Sequence, residues 1–318
     1  MQCEKVGSEH AGARVDRVAA ILFDSHSRMA LTRAIDEGRL TVDGAVTKPS
    51  FRVRGGEELR LDLAEAQRIP DQPQRIPLTI LYEDEEVLVI DKPAGLVVHP
   101  GAGNPDRTLV NALLAHRPEL CVLPRAGVVH RLDKDTSGVM IVAGSPKAHS
   151  TFIAALADRS MRRSYVAIVE GWLVSGAEYR QPMGRDPHHR VRQAVREDGK
   201  PAHTSVRVRE RFRAHTTIQA DLHTGRTHQI RVHLAHAGYP LIGDTTYGAR
   251  GRLPLKPTQE LVSEIRGFRR QALHAETITF VHPHSLDMMS FSAPWPKDLQ
   301  SLQTTLKSDL EQHEQQHE

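Results

Sequence analysis

A charged segment that turns tightly and runs directly into an apolar stretch constrains the fold more than any other feature of this sequence. The segment GVVHRLDKDTSG occupies residues 127–138, and the apolar residues VMIVA follow at 139–143. Apolar residues on both sides predict two core strands that flank a short polar loop. A carboxylate at the edge of such a strand is held in place by the core beneath it, which is how a scaffold presents a reactive side chain.

This loop has two physical interpretations. In the first, Asp133 is a catalytic carboxylate. In the second, Asp133 and Asp135 only form ion pairs with the neighbouring Arg131 and Lys134. For an arbitrary loop of this composition the second interpretation is the more common one, because charged surface loops usually form ion pairs of small energetic worth. The rest of the sequence has to decide between them.

Composition and cysteine usage exclude several classes of protein. The chain has 318 residues, enough for two domains, and its 39% hydrophobic and 25% charged content is typical of globular proteins. Two cysteines exclude a disulfide framework and a cysteine-rich metal site. No apolar run approaches the roughly 18 residues that span a membrane, and the N-terminus lacks an apolar signal region. We therefore expect a cytoplasmic protein without a membrane partner.

The charge and aromatic content permit nucleic-acid binding without requiring it. The formal net charge is +3, and the isoelectric point lies near 8.9. Aromatic residues make up 4% of the chain, so extended stacking platforms for single-stranded nucleic acid are not expected.

The first predicted domain, with its linker, covers residues 12–75. Apolar residues at helical spacing over 14–23, a second helix over 28–37 and a hairpin turn at Asp43-Gly44 follow one another. This helix-helix-hairpin order, together with GRLTVDG and VRGGE, resembles the S4 RNA-binding domain.

The S4 resemblance implies that a helix and neighbouring loops present basic residues to structured RNA. The candidates are Arg28, Arg33, Arg39, Lys48, Arg52 and Arg54. However, residues 1–75 contain twelve basic and twelve acidic residues, so net charge does not support RNA binding by this domain. A solvated helix face is the alternative interpretation.

The second predicted domain covers residues 76–305. Many short strands with few interspersed helices predict an α+β domain around a mixed, largely antiparallel sheet. Residues 306–318 are polar and are predicted to form a C-terminal tail, either a helix end or a disordered segment.

Five segments of the second domain carry a resemblance to a known family. HRLDKDTSG at 130–138 resembles the signature of the RluA-type pseudouridine synthases. Four further segments match the family pattern in family order: DKPAGLVVHP at 91–100, RSYVA at 163–167, TGRTHQIRVH at 224–233 and RQALHA at 270–275. One such match would be weak, but all of them together are strong evidence.

The resemblance implies an active site built on three residues. Asp133 is the expected catalytic residue, Tyr165 the active-site tyrosine and Arg231 the partner of Asp133. From its sequence alone, Tyr165 also fits a core aromatic residue in an apolar strand, and both roles are compatible. Arg231 alone would also fit an ordinary surface arginine.

The resemblance also assigns residues to the RNA. Arg131 is expected to displace the target base from its stack, with a structural ion pair to Asp135 as the alternative. Leu273 is expected to pack on the far side of the base pocket, and we expect Arg226 to contact the RNA. The strongly basic stretch 184–200 predicts a loop or hairpin that faces phosphates.

The implied reaction explains why these residue types are needed. The bond between C1′ and N1 of a uridine breaks, the base rotates, and it rejoins the sugar through C5. A carboxylate either attacks C1′ or removes the C2′ proton, and the sequence leaves both open. A neighbouring arginine keeps that carboxylate ionised and holds its oxygens.

No cofactor is expected. The reaction needs neither a metal nor a redox group, and the nineteen histidines show no pairing at metal-ligand spacing with a carboxylate or cysteine.

We therefore interpret the chain as an RNA pseudouridine synthase that acts as a monomer. Its expected substrate is a uridine in a stem-loop of large-subunit ribosomal RNA. A transfer RNA pseudouridine synthase is one alternative, and a non-catalytic RNA-binding ribosome-assembly factor is another. The intact set of Asp133, Tyr165 and Arg231 argues against the second alternative.

Overall fold

The structure is a computed structural model. The residues that it describes are 2–23, 28–62, 72–101, 103–189 and 192–315. No helix among them is long and apolar enough to cross a membrane.

The chain forms two compact units, Met1–Pro70 and Asp71–Glu318. This division lies before the boundary that we predicted after residue 75. Gln72 already belongs to the second unit, because its carbonyl accepts a hydrogen bond of 2.9 Å from the side-chain amide of Asn111.

In its described residues, the first unit combines two α-helices with a four-stranded antiparallel sheet in the order β1-β4-β2-β3. Its elements are β1 (Gln2–Lys5), α1 (Val15–Leu22), α2 (Arg28–Asp36), β2 (Leu40–Val42), β3 (Ala45–Val46) and β4 (Glu58–Leu61). The predicted helices and hairpin are confirmed, and the turn residues Asp43 and Gly44 have the positive φ angles, 50° and 78°, of a two-residue hairpin loop. Because β1 pairs along β4, the unit begins before the predicted start at residue 12.

The second unit is built around one large sheet. The strands in its described part are β5 (Thr79–Glu83), β6 (Val87–Lys92), β7 (Ser137–Ala143), β8 (Arg162–Glu170), β9 (Ala177–Tyr179), β10 (Met183–Arg185), β11 (Gln193–Val195), β12 (Thr204–Arg211), β13 (His215–Leu222), β14 (Leu273–Val281) and β15 (Met288–Ser292). The helices are α3 (Leu109–His116), α4 (Pro146–Ala157), α5 (Gln229–His236), α6 (Gln259–Gly267) and α7 (Lys297–Gln315).

The strand order of the large sheet is β5-β6-β7-β14-β8-β13-β12-β9, and β15 pairs with β14. Within the described residues, β7 and β14 are the one parallel pair, and all other neighbours are antiparallel. The predicted α+β class with a mixed, largely antiparallel sheet is therefore confirmed. Strands β10 and β11 form a separate hairpin within the predicted basic stretch.

Strand β8 shows why the middle of the sheet is rigid. Its residues alternate between the two faces of the sheet. Tyr165, Ala167 and Val169 join one buried cluster, to which α3, α4 and α5 contribute. Val166 and Ile168 join a second cluster, formed with α6 and α7. Because apolar side chains are buried on both faces, this strand is a firm support for the residues at its ends.

One detail differs from the sequence predictions. The residues before the charged loop do not form a regular strand, because Pro124–Gly127 is a 3₁₀ turn and Val128 makes only one isolated bridge to β7. Of the two alternatives for the C-terminal tail, the structure agrees with the helix end, because helix α7 continues to Gln315. Leu299, Leu302 and Leu306 form the buried stripe of this helix.

Candidate active site

The charged loop lies where β7 begins, next to the start of β14. The two strands run parallel there, with Ser137 opposite His274 and Gly138 opposite Ala275. Gly138 has a φ of +114°, and a Cβ at this position would lie 2.1 Å from the carbonyl oxygen of Ala275. Only glycine permits this close approach, so the final glycine of the signature allows the loop to dock beside β14.

Asp133 and Arg231 are in direct contact, as we predicted. The Nη1 atom of Arg231, on α5, donates a hydrogen bond of 2.9 Å to Oδ2 of Asp133. The same guanidinium donates to both carboxylate oxygens of Asp244, from Nε at 2.7 Å and from Nη2 at 2.9 Å. One cation therefore lies between two carboxylates, with bidentate geometry toward Asp244.

Burial and charge pairing act in opposite directions on this guanidinium. The side chains of Arg231 and Asp244 are 7% and 1% exposed. Burial opposes the charge of Arg231, but its hydrogen bonds to Asp244 and Asp133 outweigh burial and raise the pKa of Arg231. The site thus holds a permanent positive charge beside Asp133.

Asp244 was missed by the sequence analysis. It follows Gly243 in an unremarkable loop, and its pairing with Arg231 exists only because that loop folds back on α5. The feature of the sequence that could have indicated Asp244 is its position in a GDTTYG stretch shortly after the TGRTHQIRVH segment.

His228 and Tyr247 complete the surroundings of Asp133. The Nε2 atom of His228 lies 3.7 Å from Oδ1 of Asp133, and its Nδ1 atom lies 2.7 Å from the hydroxyl of Tyr247. The guanidinium of Arg231 lies over the Tyr247 ring, 4.9 Å from its centroid. Burial lowers the pKa of His228, although the charge of Asp133 opposes that change.

Tyr165 and Leu273 lie beside the loop and are both buried. Together with Arg131 and Asp133 they line a small cavity of about 50 Å³. Tyr165 belongs to the apolar core, as its interpretation as a core aromatic residue predicted, and it also lines this cavity, so its role as an active-site tyrosine stays a prediction. Burial raises the pKa of the Tyr165 hydroxyl, which therefore stays protonated at neutral pH.

A larger cleft of about 550 Å³ also adjoins the loop. Its basic lining residues are Arg131, Lys134, Arg231, Arg269 and Arg270. Arg131 is exposed and lines both the cleft and the small cavity. Among the described residues, the ion pairs of the loop are those of Asp133 with Arg231 and His228, so the alternative pair of Arg131 with Asp135 is absent there.

Lys92 is a buried lysine that contacts the charged loop, and no separate role was predicted for it from the sequence. Its side chain is fully buried, and Nζ donates hydrogen bonds to the carbonyls of Pro93, Leu96 and Lys134 at 2.8, 2.9 and 3.0 Å. Burial lowers the pKa of Lys92 to about 8, while Asp135 and Asp133 oppose the change. The feature of the sequence that could have indicated Lys92 is a lysine at the end of an apolar strand.

The remaining predicted RNA contacts lie outside this cluster or at its rim. Arg226 lines the small cavity, and its Nε donates a hydrogen bond of 3.0 Å to the carbonyl of Pro201. In the first unit, Arg28 pairs with Asp16 at 2.6 Å, whereas Arg33 and Arg39 both pair with Glu37. Arg52 donates to the carbonyl of Gly12 at 2.6 Å, and Lys48 is exposed.

One group of side chains in the described residues could hold a metal ion: Glu178, His203 and His223. None of the three lines the cavities around Asp133. The two imidazole rings stack with their centroids 4.0 Å apart and their planes 15° from parallel.

The arrangement around Asp133 suits chemistry that is carried out by one oriented carboxylate. The carboxylate is oriented by a buried cation, an aromatic ring and an apolar side chain form a slot beside it, and basic residues surround the opening. The basic residues around the opening can bind phosphate groups.

Comparisons with known proteins agree with this chemistry. Residues 86–236 match the family model for RNA pseudouridylate synthase. Ribosomal large subunit pseudouridine synthase D of Xanthomonas campestris is 53% identical over 299 residues, which cover 94% of this chain and 90% of that protein. The protein of the same name from Pseudomonas aeruginosa is 50% identical over 307 residues, covering 96% of both chains.

A solved structure shows the same fold. Human RNA pseudouridylate synthase domain containing 4 superposes with a TM-score of 0.57 at 22% identity, covering 72% of this chain and 93% of that one.

Proposed function

The chain belongs to the RluA-type family of RNA pseudouridine synthases, and from this premise we propose that it converts uridine to pseudouridine in a stem-loop of large-subunit ribosomal RNA. Two relatives that are at least 50% identical over nearly the whole chain are named for the ribosomal large subunit. The observation that carries the catalytic assignment is the 2.9 Å contact between Asp133 and a guanidinium that a second carboxylate holds in place.

Asp133 is the catalytic residue in this proposal. Its carboxylate acts on the sugar of the target nucleotide, at C1′ or at the C2′ proton, and the bond to N1 breaks. The base leaves with the electron pair of that bond, turns, and forms a new bond from C5 to C1′. This last step breaks the bond between Asp133 and C1′ if the carboxylate attacked C1′, or is accompanied by return of the proton from Asp133 to C2′ if it acted as a base. The C5 proton is lost and N1 gains one, so the product is an isomer of the substrate.

Arg231 orients the Asp133 carboxylate and supplies a positive charge to the site. Its Nη1–H holds Oδ2 of Asp133, and its positive charge stabilises the negative charge that moves onto the base. Asp244 keeps the guanidinium from turning away, because it accepts hydrogen bonds from the other two nitrogens, Nε and Nη2.

Tyr165 and Leu273 form the slot for the base, with the tyrosine ring available for stacking. The cavity between them is only about 50 Å³, so a uracil enters by moving one wall. Arg131, exposed and without an ion pair among the described residues, takes the place of the extruded base in the RNA. Arg226 contacts the backbone at the rim.

The first unit adds RNA contacts through Arg28, Arg33, Arg39, Lys48 and Arg52. Its S4-like arrangement of helices and sheet supports this assignment. Because acidic neighbours pair with three of these arginines, we place the larger part of the binding energy in the second unit. A ribosomal target implies action in the cytoplasm, and we propose that the protein acts as a monomer.

The test is to map pseudouridine in total RNA from cells with and without this protein. The proposal expects pseudouridines in large-subunit ribosomal RNA that disappear with the gene and return with the wild-type protein. Loss of pseudouridine only from transfer RNA would replace the proposed target. No change in any RNA, with the purified protein inactive on ribosomal fragments, would favour a non-catalytic role.

A further inference from the structure

We propose that His228 is a positioning residue that donates a hydrogen bond from its Nε2–H to Oδ1 of Asp133 when RNA is bound, in the tautomer that Tyr247 selects. The inference rests on the proposed role of Asp133. Arg231 binds one oxygen of that carboxylate, Oδ2. The other oxygen, Oδ1, faces Nε2 of His228 at 3.7 Å.

The hydrogen bonds around Tyr247 determine the tautomer. Its hydroxyl oxygen accepts a hydrogen bond of 2.9 Å from the backbone N–H of Gln193, at the start of β11. The same hydroxyl lies 2.7 Å from Nδ1 of His228. A phenol has a single proton to donate. If it donates to Nδ1, each of these groups has a partner, and the imidazole proton is located on Nε2.

The charge state of the ring agrees with this assignment. Burial lowers the pKa of His228 against the opposing charge of Asp133, so the ring is neutral at neutral pH. A neutral imidazole carries one N–H, and with Nδ1 acting as acceptor that N–H points toward Asp133.

The separation of 3.7 Å exceeds hydrogen-bond length. Catalytic hydrogen bonds are often longer in the free protein and shorten when substrate closes the site. A small movement of the loop toward α5 would close this gap, and RNA in the adjoining cleft would contact both sides of it.

The backbone of His228 is consistent with a functional position. It has a φ of +57°, in the left-handed region that residues other than glycine seldom occupy, and it immediately precedes α5. Such strain persists where the surroundings enforce it, and it is common at active sites. Here it places the ring between Tyr247 and Asp133.

Three variants separate a donor at Nε2 from a merely structural ring. The amide nitrogen of His228→Gln reaches the place of Nε2, that of His228→Asn reaches the place of Nδ1, and His228→Ala has neither. Single-turnover isomerisation of a ribosomal RNA fragment at saturating protein should slow by about 10- to 100-fold in the Ala and Asn variants. The Gln variant should be faster than both, and RNA affinity should remain near the wild-type value in all three.

His116→Gln is the matched control, because His116 is exposed and pairs with Glu83 away from the site. It should leave the rate unchanged. An Ala variant within about threefold of wild type, or an Asn variant faster than the Gln variant, would overturn the proposal.

Nitrogen-15 NMR of the histidine side chains tests the tautomer without substrate and without a change at His228. The wild-type protein should carry the His228 proton on Nε2, and Tyr247→Phe should shift the ring toward a mixture of tautomers. Tyr82→Phe, which removes a hydroxyl bound to Asp84, should have no such effect. A proton on Nδ1 in the wild type overturns the inference. If the wild-type protein forms no pseudouridine, the proposed function fails instead, and the NMR result still decides the tautomer.

Discussion

Two clusters of charged side chains in this molecule use the same chemical groups in opposite environments. In the first unit, Glu37 binds Arg33 and Arg39 at the surface, with Arg33 75% exposed. In the second unit, Arg231 binds Asp133 and Asp244 where the three side chains are 7%, 13% and 1% exposed. An exposed pair contributes little, because water competes for both partners. A buried cluster whose partner is removed leaves an uncompensated charge, so only the second cluster can hold a side chain in a defined position.

The largest effect is expected for Asp133→Asn, which tests whether the buried cluster serves catalysis. Asp133→Asn keeps the shape of the side chain but removes the charge that acts on the sugar. Isomerisation should fall by about a thousandfold or more, while the fold and most of the RNA affinity remain. Single-turnover assays with a circular dichroism spectrum measure both. Asp135→Asn should be much milder, and near-normal turnover by the Asp133→Asn variant would remove Asp133 from the mechanism.

The Asp244→Asn variant tests whether the buried cluster contributes more to stability than an exposed ion pair does. Losing this carboxylate leaves Arg231 buried with a single charged partner, so the free energy of unfolding should drop by about 3 kcal/mol. Urea unfolding measures this change. The matched control is Asp298→Asn: Asp298 also receives two hydrogen bonds from one arginine, Arg270, but is 46% exposed. Equal losses in the two variants would show that burial does not distinguish these pairs.

Lys92 is another buried charged residue, and its contribution to stability should depend on pH. Its pKa in the folded protein is lowered to about 8 by burial, whereas the unfolded chain binds that proton up to about pH 10.4. Between these values the unfolded state holds more protons, so the contribution of Lys92 to stability rises with pH. The wild-type protein should gain up to about 3 kcal/mol relative to Lys92→Met over this window. Unfolding titrations of both proteins at pH 7.5 and pH 10 should show the gain, and a constant difference between them would contradict it.

Removing residues 1–70 tests what the first unit contributes. The truncated protein should bind RNA about tenfold more weakly near 0.1 M salt and show a shallower dependence of affinity on salt, because fewer phosphate contacts remain. Its single-turnover rate at saturating RNA should be nearly unchanged, since the residues around Asp133 lie after residue 90. Equal salt slopes for both proteins would mean that the internal ion pairs of the first unit neutralise its arginines.

The smallest effect is expected for Glu37→Gln. This change frees Arg33 and Arg39 from their shared partner, so it should leave the unfolding midpoint unchanged and slightly strengthen RNA binding. Weaker binding would show that Glu37 holds these arginines in the conformation that RNA requires.

Whether the sequence predicted a feature depended on whether neighbouring residues or residues far apart in the chain determine that feature. The two helices of the first unit and the hairpin turn at Asp43-Gly44 were predicted, because apolar period and turn chemistry are properties of neighbouring residues. The α7 stripe was available by the same rule and was overlooked. Asp133, Tyr165, Arg231 and Leu273 were singled out through the family segments rather than through any local pattern, and the structure brings all four to one pocket.

By itself, the sequence determined the fold class, the family and the residue types available for chemistry, since these depend on composition, period and ordered motifs. Tertiary structure alone decided which charges pair. The Asp133–Arg231 contact joins residues 98 positions apart, and the Lys92–Lys134 contact joins residues 42 apart. Asp244, His228 and Tyr247 acquire their roles only when the loop after α5 folds back against it. The physical reason is that electrostatic interactions depend on separation and burial in space, and a linear sequence specifies neither.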